Sequence, residues 1–367
     1  MEQSVDSLFM TGEMRSKFEG VFEDAVRYIT DKDLKRAELW EKFVHIFRAN
    51  EDVDDLGWRC EYWGKMMRGA AWIFEYSHDA KLYGLLETTV MELLDTEDEF
   101  GRISSYTIEP EFGGWDMWGR KYVLLGLQYF YEICGKEELK TRIRTSMERQ
   151  MNYVIAHIGK GEGQKDILLI SPHWYGTVAC SFLEPTMRLY NLTQKKEYLE
   201  FAEYIVNTGF CKKNNLIELA LEDEVAPYEY PHQKAYETIS CFEGLIEYYR
   251  VTGIVTYKTA AINFARKLIE TDVTVIGCCG CTHEFFDNAV LKQTGTEYKG
   301  IMQETCVSVT WMKFCLQLLR LTGDVTFADC MEQTFFNAYL GTFNTYGNEL
   351  GAETKSKRLQ LEEDKRP

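Results

Sequence analysis

Two short stretches in the last third of the chain carry side chains that could act on a substrate together. Glu304-Thr305-Cys306 sets a carboxylate and a thiol two positions apart, and Cys281-Thr282-His283-Glu284 adds a second carboxylate beside an imidazole. On a helix, positions i and i+2 diverge by ~200°, whereas on extended backbone both side chains project to one side. Extended backbone over 303–306, with a helix starting near Ser308, therefore brings Glu304 and Cys306 to one point, as half of a zinc site. The same pattern also fits a buried cysteine beside a helix-capping glutamate. Glu284, followed by Phe285 and Phe286, reads as a general acid kept protonated by apolar neighbours, or as an ordinary solvated loop carboxylate. Cys278, Cys279 and Cys281 crowd together upstream in a CCxC run that matches no common zinc spacing and reads as packing.

Aromatic clusters recur at GWRCEYWGK (57–65), GGWDMWGRK (113–121), SPHWYGT (171–177) and PYEYPHQKAYE (227–237). A sugar ring, apolar on its faces and hydroxylated on its edge, suits indole and phenol surfaces with polar groups nearby. Trp63, Trp115, Trp118, His173, Trp174 and His232 are the candidates for such contacts; the competing reading is loop packing.

The elements that must position these groups follow from a repeat. FEYSHDAKL (74–82), YEICGKEEL (131–139), YNLTQKKEY (190–198), YRVTGIVTY (249–257) and LRLTGDVTF (319–327) share one pattern. A large apolar residue lies three positions before the anchors Ser77, Cys134, Thr193, Thr252 and Thr322, and another five positions after. Helical stripes flank the turns: Cys241, Leu245 and Tyr248/Tyr249 before Thr252, then Ala261, Phe264 and Leu268 after it. An amphipathic helix through Phe18, Phe22 and Ile29 precedes them, and Asp33 is expected to cap the next. Helix pairs at this period predict an all-α fold, a closed α/α toroid or an α-solenoid; the long loops before the hairpins, rich in Gly and aromatics, favour a toroid of the six-hairpin type over 1–350, with the five turns and the N-terminal pair making six. If that pair does not close the ring, an apolar seam is left and self-association is expected. Residues 351–367 read as a charged tail, and the aromatic clusters, at one phase of the repeat, gather on one rim.

Fifty-eight acidic against 41 basic residues leave a net charge of −17, which argues against nucleic acid or an anionic membrane as partner. No apolar run approaches ~18 residues, and the opening MEQSVDSLFMTG is no secretory signal, so a cytoplasmic protein with reduced thiols is expected.

Over 273–340 the chain resembles the bacterial β-L-arabinofuranosidases, glycoside hydrolase family 127 and relatives such as family 146. The resemblance rests on Val275-Ile276-Gly277, Glu284-Phe285, Glu304-Thr305-Cys306, Leu321-Thr322-Gly323-Asp324, Phe327-Ala328-Asp329 and Glu332 with Asn337. It implies an α/α toroid and a retaining hydrolysis of plant-derived arabinosides in which a zinc-bound cysteine attacks the anomeric carbon. A glutamate protonates the leaving sugar. Carried over, Glu284 takes the acid/base position, Glu304 and Cys306 are zinc ligands, and His232 contacts sugar. The family's nucleophile belongs to a Cys-Cys pair well downstream of E-T-C. Beyond Cys306 this chain holds only Cys315 and Cys330, so it reads as a member cut short, without the β-sandwiches and with its nucleophile unassigned. The alternatives are another toroid sugar enzyme, an epimerase or unsaturated-uronide hydrolase, and a non-catalytic sugar-binding toroid.

Overall fold

The computed structural model describes residues 18–53, 57–171, 173–280, 282–295 and 302–342; Cys281 and the expected tail lie outside them. Helices follow one another as pairs: α1 (Val21–Ile29) with α2 (Ala37–Ala49), α3 (Tyr62–Ser77) with α4 (Ala80–Leu94), and α5 (Asp116–Ile133) with α6 (Glu137–His157). After the short α7 (Ile167–Ile170) and α8 (Thr177–Cys180) come α9 (Leu183–Thr193) with α10 (Lys196–Val206). The small α11 (Leu216–Glu222) precedes α12 (Ala235–Thr252) with α13 (Val255–Thr271), and α14 (Ala289–Lys292) precedes α15 (Thr305–Thr322) with α16 (Thr326–Gln333). Helices α3, α5, α9, α12 and α15 pack side by side in that order as the inner wall of a ring. An all-α toroid is the observed architecture.

The repeat is the turn of each pair. Ser77, Thr193, Thr252 and Thr322 are each the last helical residue, and Cys134 caps α5. Thr193, Thr252 and Thr322 turn their hydroxyls back to the carbonyl four residues earlier. The following residue is left-handed at His78, Gln194, Gly253 and Gly323, and its N–H closes the cap on Phe74, Tyr190, Tyr249 or Leu319. The large side chains three before the anchors, Phe74, Tyr131, Tyr190, Tyr249 and Leu319, pack in or against the core. The residue five positions after each anchor starts the return helix and packs against the core, with Leu82 and Tyr198 fully buried.

The N-terminal pair closes the ring. Phe22 stacks on Phe335 at 4.7 Å, in the segment continuing α16, and Tyr76 at the end of α3 donates to Glu23 at 2.7 Å. The open seam from which self-association was expected is therefore bridged among the described residues. Asp33 does not cap α2: it lies within a wide turn over Thr30–Leu34, and the helix begins after an extended Arg36 with no side-chain cap. No described helix is long and apolar enough to cross a membrane.

Helices α3 and α5 approach so closely that a Cβ on Gly64 would stand 1.9 Å from the Tyr122 carbonyl oxygen. Gly64→Ala is expected to destabilise the protein by about 3 kcal/mol or more, because backbone cannot step aside as a side-chain tip can. Gly69→Ala, exposed on the same helix with nothing within 4 Å, is expected to gain up to about 1 kcal/mol. Chemical unfolding of the two variants side by side checks the contrast.

Candidate active site

The loop between α13 and α15 carries the site, and a buried aspartate shapes it. Asp272 accepts the N–H of Asp287 at 2.7 Å, while its carbonyl takes the N–H of Gly280, also at 2.7 Å. Burial raises the pKa of Asp272 above the ordinary carboxylate value. Within the loop, β1 (Thr282–His283) pairs in parallel with β2 (Met302–Gln303), with Thr282 opposite Met302 and His283 opposite Gln303. Continuing that register by one step sets Glu284 beside Glu304. On the other side, Ala235 N–H donates to the Glu284 carbonyl at 2.7 Å and Phe286 N–H to the Gln233 carbonyl at 2.8 Å, so the start of α12 grips the same loop.

Glu284, Glu304 and Cys306 converge: one ligand atom from each lies within 4.8 Å of the other two, and all three residues are half-buried. Glu304 and Cys306 offer a carboxylate and a thiol of the kind zinc takes, with the Glu284 carboxyl beside them. Helix α15 begins at Thr305, three residues earlier than Ser308, so Cys306 is in its first turn rather than on extended backbone. The cause is Glu304, extended at φ −78°, whose carboxylate accepts the Val307 N–H at 2.8 Å and draws the helix back to itself. Helix cap and cluster carboxylate are thus one residue. Burial pushes the Cys306 thiol up to about 12, against the opposing pull of Lys65.

The apolar enclosure expected around Glu284 is not what surrounds it. Lys234 contacts its carboxylate directly and lies 3.7 Å from Glu237, while Phe286 turns into the core against Phe264. Phe285 meets Trp174 edge-on at 5.4 Å. Beneath Cys306, Lys65 pairs with Glu61 at 2.8 Å and stands 4.6 Å from the Tyr236 ring centre. Glu61 also accepts the Trp118 indole, and Tyr122 and Tyr236 join their hydroxyls at 2.5 Å. These two tyrosines form the floor. Sequence reasoning passed over Lys234, Lys65, Glu61 and the tyrosine pair; Lys65 and Lys234 were in view within WGK and PHQK, but only as neighbours of aromatics.

The rim residues divide. Trp115 and His173 stack at 4.8 Å, both half-buried, and Trp174, half-buried with φ +55°, has an indole N–H without a protein partner. Trp63 and Trp118, each 1% exposed, offer a sugar no face: Trp63 donates to Thr89 inside the α3–α4 pair at 3.0 Å, and Trp118 backs the floor. His232 is 5% exposed with both ring nitrogens engaged, Nδ1 accepting the Lys234 N–H and Nε2 donating to Thr177. In this conformation it orients α12 against α8 and does not face the cluster. Of the other cysteines, Cys278 meets the Ser308 hydroxyl at 3.1 Å and Cys279 is in the core, so among the described residues the donor group stops at three.

Burial, with Lys213 and Lys234 adding to it, lowers the His232 pKa to about 4. A depressed histidine binds fewer protons folded than unfolded between pH ~6.5 and ~4. Its contribution is therefore complete above ~6.5 and lost on acidification through that window, by up to about 3 kcal/mol. His232→Gln should flatten the fall in stability between pH 7 and pH 5, measured by urea unfolding.

Comparison with known proteins agrees with this architecture. A solved GH127 β-arabinofuranosidase matches 91% of the chain at 17% identity and a TM-score of 0.61, over 52% of its own length. The selenium form of Ara127N, a GH127 β-L-arabinofuranosidase from Geobacillus stearothermophilus T6, matches 88% at 16% identity and a TM-score of 0.65, over 55% of its length. A third, titled only a glycoside hydrolase, matches 81% at 15% identity and a TM-score of 0.53, over 49% of its length. These likenesses show the fold, and the chain spans about half the length of each. No curated protein matched. The profile of the β-L-arabinofuranosidase GH127 catalytic domain matches residues 17–351, nearly the whole chain, which therefore belongs to that family.

Proposed function

We propose that this chain hydrolyses β-L-arabinofuranosides. The observation that carries the reading is the convergence of Glu284, Glu304 and Cys306 at the N-terminal end of α15. Glu304 and Cys306 would hold a zinc ion, which would supply Lewis acidity and keep the thiol deprotonated. Glu284 moves the proton: it gives one to the leaving-group oxygen as that oxygen's bond to the anomeric carbon breaks, and takes one from the water that later forms the replacing bond there; the nucleophile that holds the glycosyl group between the two steps is unassigned. Lys234 and Glu237 fix its position from behind. Trp115 and His173 form an apolar wall for the sugar ring, and the half-buried Trp174 lies edge-on to Phe285, next to Glu284 in the chain. Trp118 supports this wall from inside the ring, edge-on to Trp115 at 6.1 Å. The described cysteines are free thiols, which suits a reducing, cytoplasmic setting.

The test is an aryl β-L-arabinofuranoside assay with metal analysis of protein purified under reducing conditions. Zinc near one per chain with turnover supports the reading; metal-loaded protein that turns over no arabinofuranoside overturns it.

A further inference from the structure

Below the tyrosine floor, the inner helices turn charge into the ring's axis. Arg68 of α3, Lys121 of α5, Glu184 of α9, Glu243 of α12 and Lys313 of α15 form a cluster in which Arg68, Lys121, Glu184 and Glu243 are each at most 7% exposed. Only one direct ion pair joins them, Lys313 to Glu243 at 3.1 Å. Three cations face two carboxylates, so the cluster carries an excess of one positive charge, which is costly away from water. The Lys121 ammonium, 1% exposed, has no hydrogen-bond partner and meets only ring faces, 4.6 Å from the centre of Trp118 and 5.3 Å from that of Tyr122. Arg68 makes only a ring contact, 5.9 Å above Tyr122. Ser240 and Thr310, one turn from Glu243 and Lys313 on the same helix faces, have hydroxyls without partners. On the acceptor side, Glu184 Oε2 is likewise buried without a hydrogen-bond partner.

The electrostatics agree. Burial lifts Glu184, but Lys121, Lys313 and Arg68 together outweigh it and bring its pKa below the ordinary value. Burial, reinforced by Arg68, lowers Lys313 to about 8.

We infer that the ring axis holds a second, enclosed site for one monovalent anion of chloride's size, bounded by Arg68, Lys121, Ser240, Thr310 and Lys313. The anion balances the excess charge and accepts from the ammonium and the two hydroxyls. A file of neutral water would satisfy the hydroxyls and leave the charge uncompensated. Further along α5, α9 and α12, Arg188 pairs with Glu132 at 2.8 Å and Arg250 with Glu247 at 2.5 Å. This site does not depend on the proposed hydrolysis.

Crystals soaked in sodium bromide and measured at the bromine edge test it directly. An anomalous peak beside Lys121 and Arg68 is expected; water density there, or peaks only on the outer surface, overturns the proposal. In solution, replacing sodium gluconate by sodium chloride at equal ionic strength should raise the Tm by about 2 °C for each tenfold increase in chloride above its Kd. Lys121→Met should weaken that chloride response at least tenfold in concentration. If that variant does not fold, Thr310→Val, which removes one donor and keeps the shape, should shift the response in the same direction. Equal melting in the two salts for the unsubstituted protein sinks the idea.

Discussion

Glu284→Gln is expected to lower turnover of an alkyl β-L-arabinofuranoside by about 10²–10⁴-fold. The amide keeps the size and the loop contacts, which run through backbone at Ala235 and Phe286. It cannot give a proton to the departing oxygen. A 4-nitrophenyl glycoside, whose leaving group needs little protonation, should lose far less in the glycosylation step, so the ratio of the two rates separates lost proton transfer from a damaged site. Lys234, which contacts this carboxylate and stands near Glu237, sharpens the control. Lys234→Met misplaces Glu284 without removing it, so both substrates should lose similar factors. Full activity of Glu284→Gln on the alkyl glycoside would show that another group moves the proton.

The second large effect is on metal. Cys306→Ser should reduce zinc affinity by two orders of magnitude or more, because a hydroxyl stays protonated where a thiol ionises on coordination. Since burial holds the thiol up to about 12, binding must expel its proton, and zinc affinity should climb with pH. Titrating zinc into the protein at pH 6.5 and pH 8 with a competing chelator measures this. Equal affinity at the two pH values, or an unchanged Cys306→Ser, would remove Cys306 from the ligands. Glu304→Gln should weaken zinc and leave stability nearly intact, since the amide oxygen still caps Val307 N–H.

Much of this molecule is legible in its residue order because the information is local. An anchor residue with large residues three before and five after, joined in four of the five turns by a left-handed position, describes a hairpin that closes through contacts a few residues apart; repeated along the chain, these hairpins yield the ring. Glu284, Glu304 and Cys306 were visible as well, through residue type, spacing and resemblance. The start of α15 was misjudged by three residues because the Glu304 side chain serves the helix as cap as well as the cluster.

What tertiary structure alone decided is which side chains are left facing one another. Trp63 and Trp115 sit in similar aromatic runs, yet one is sealed between helices and the other lies half-open on the rim, since a helix position chooses its face by the neighbours the ring supplies. Lys234 reaches Glu284 across 50 residues through two backbone bonds that no spacing announces. The buried charges of the axis come from five different helices and meet only when the ring closes. Local order along the chain determined the hairpins; closure determined the chemistry inside them, because burial and charge are properties of what surrounds a residue.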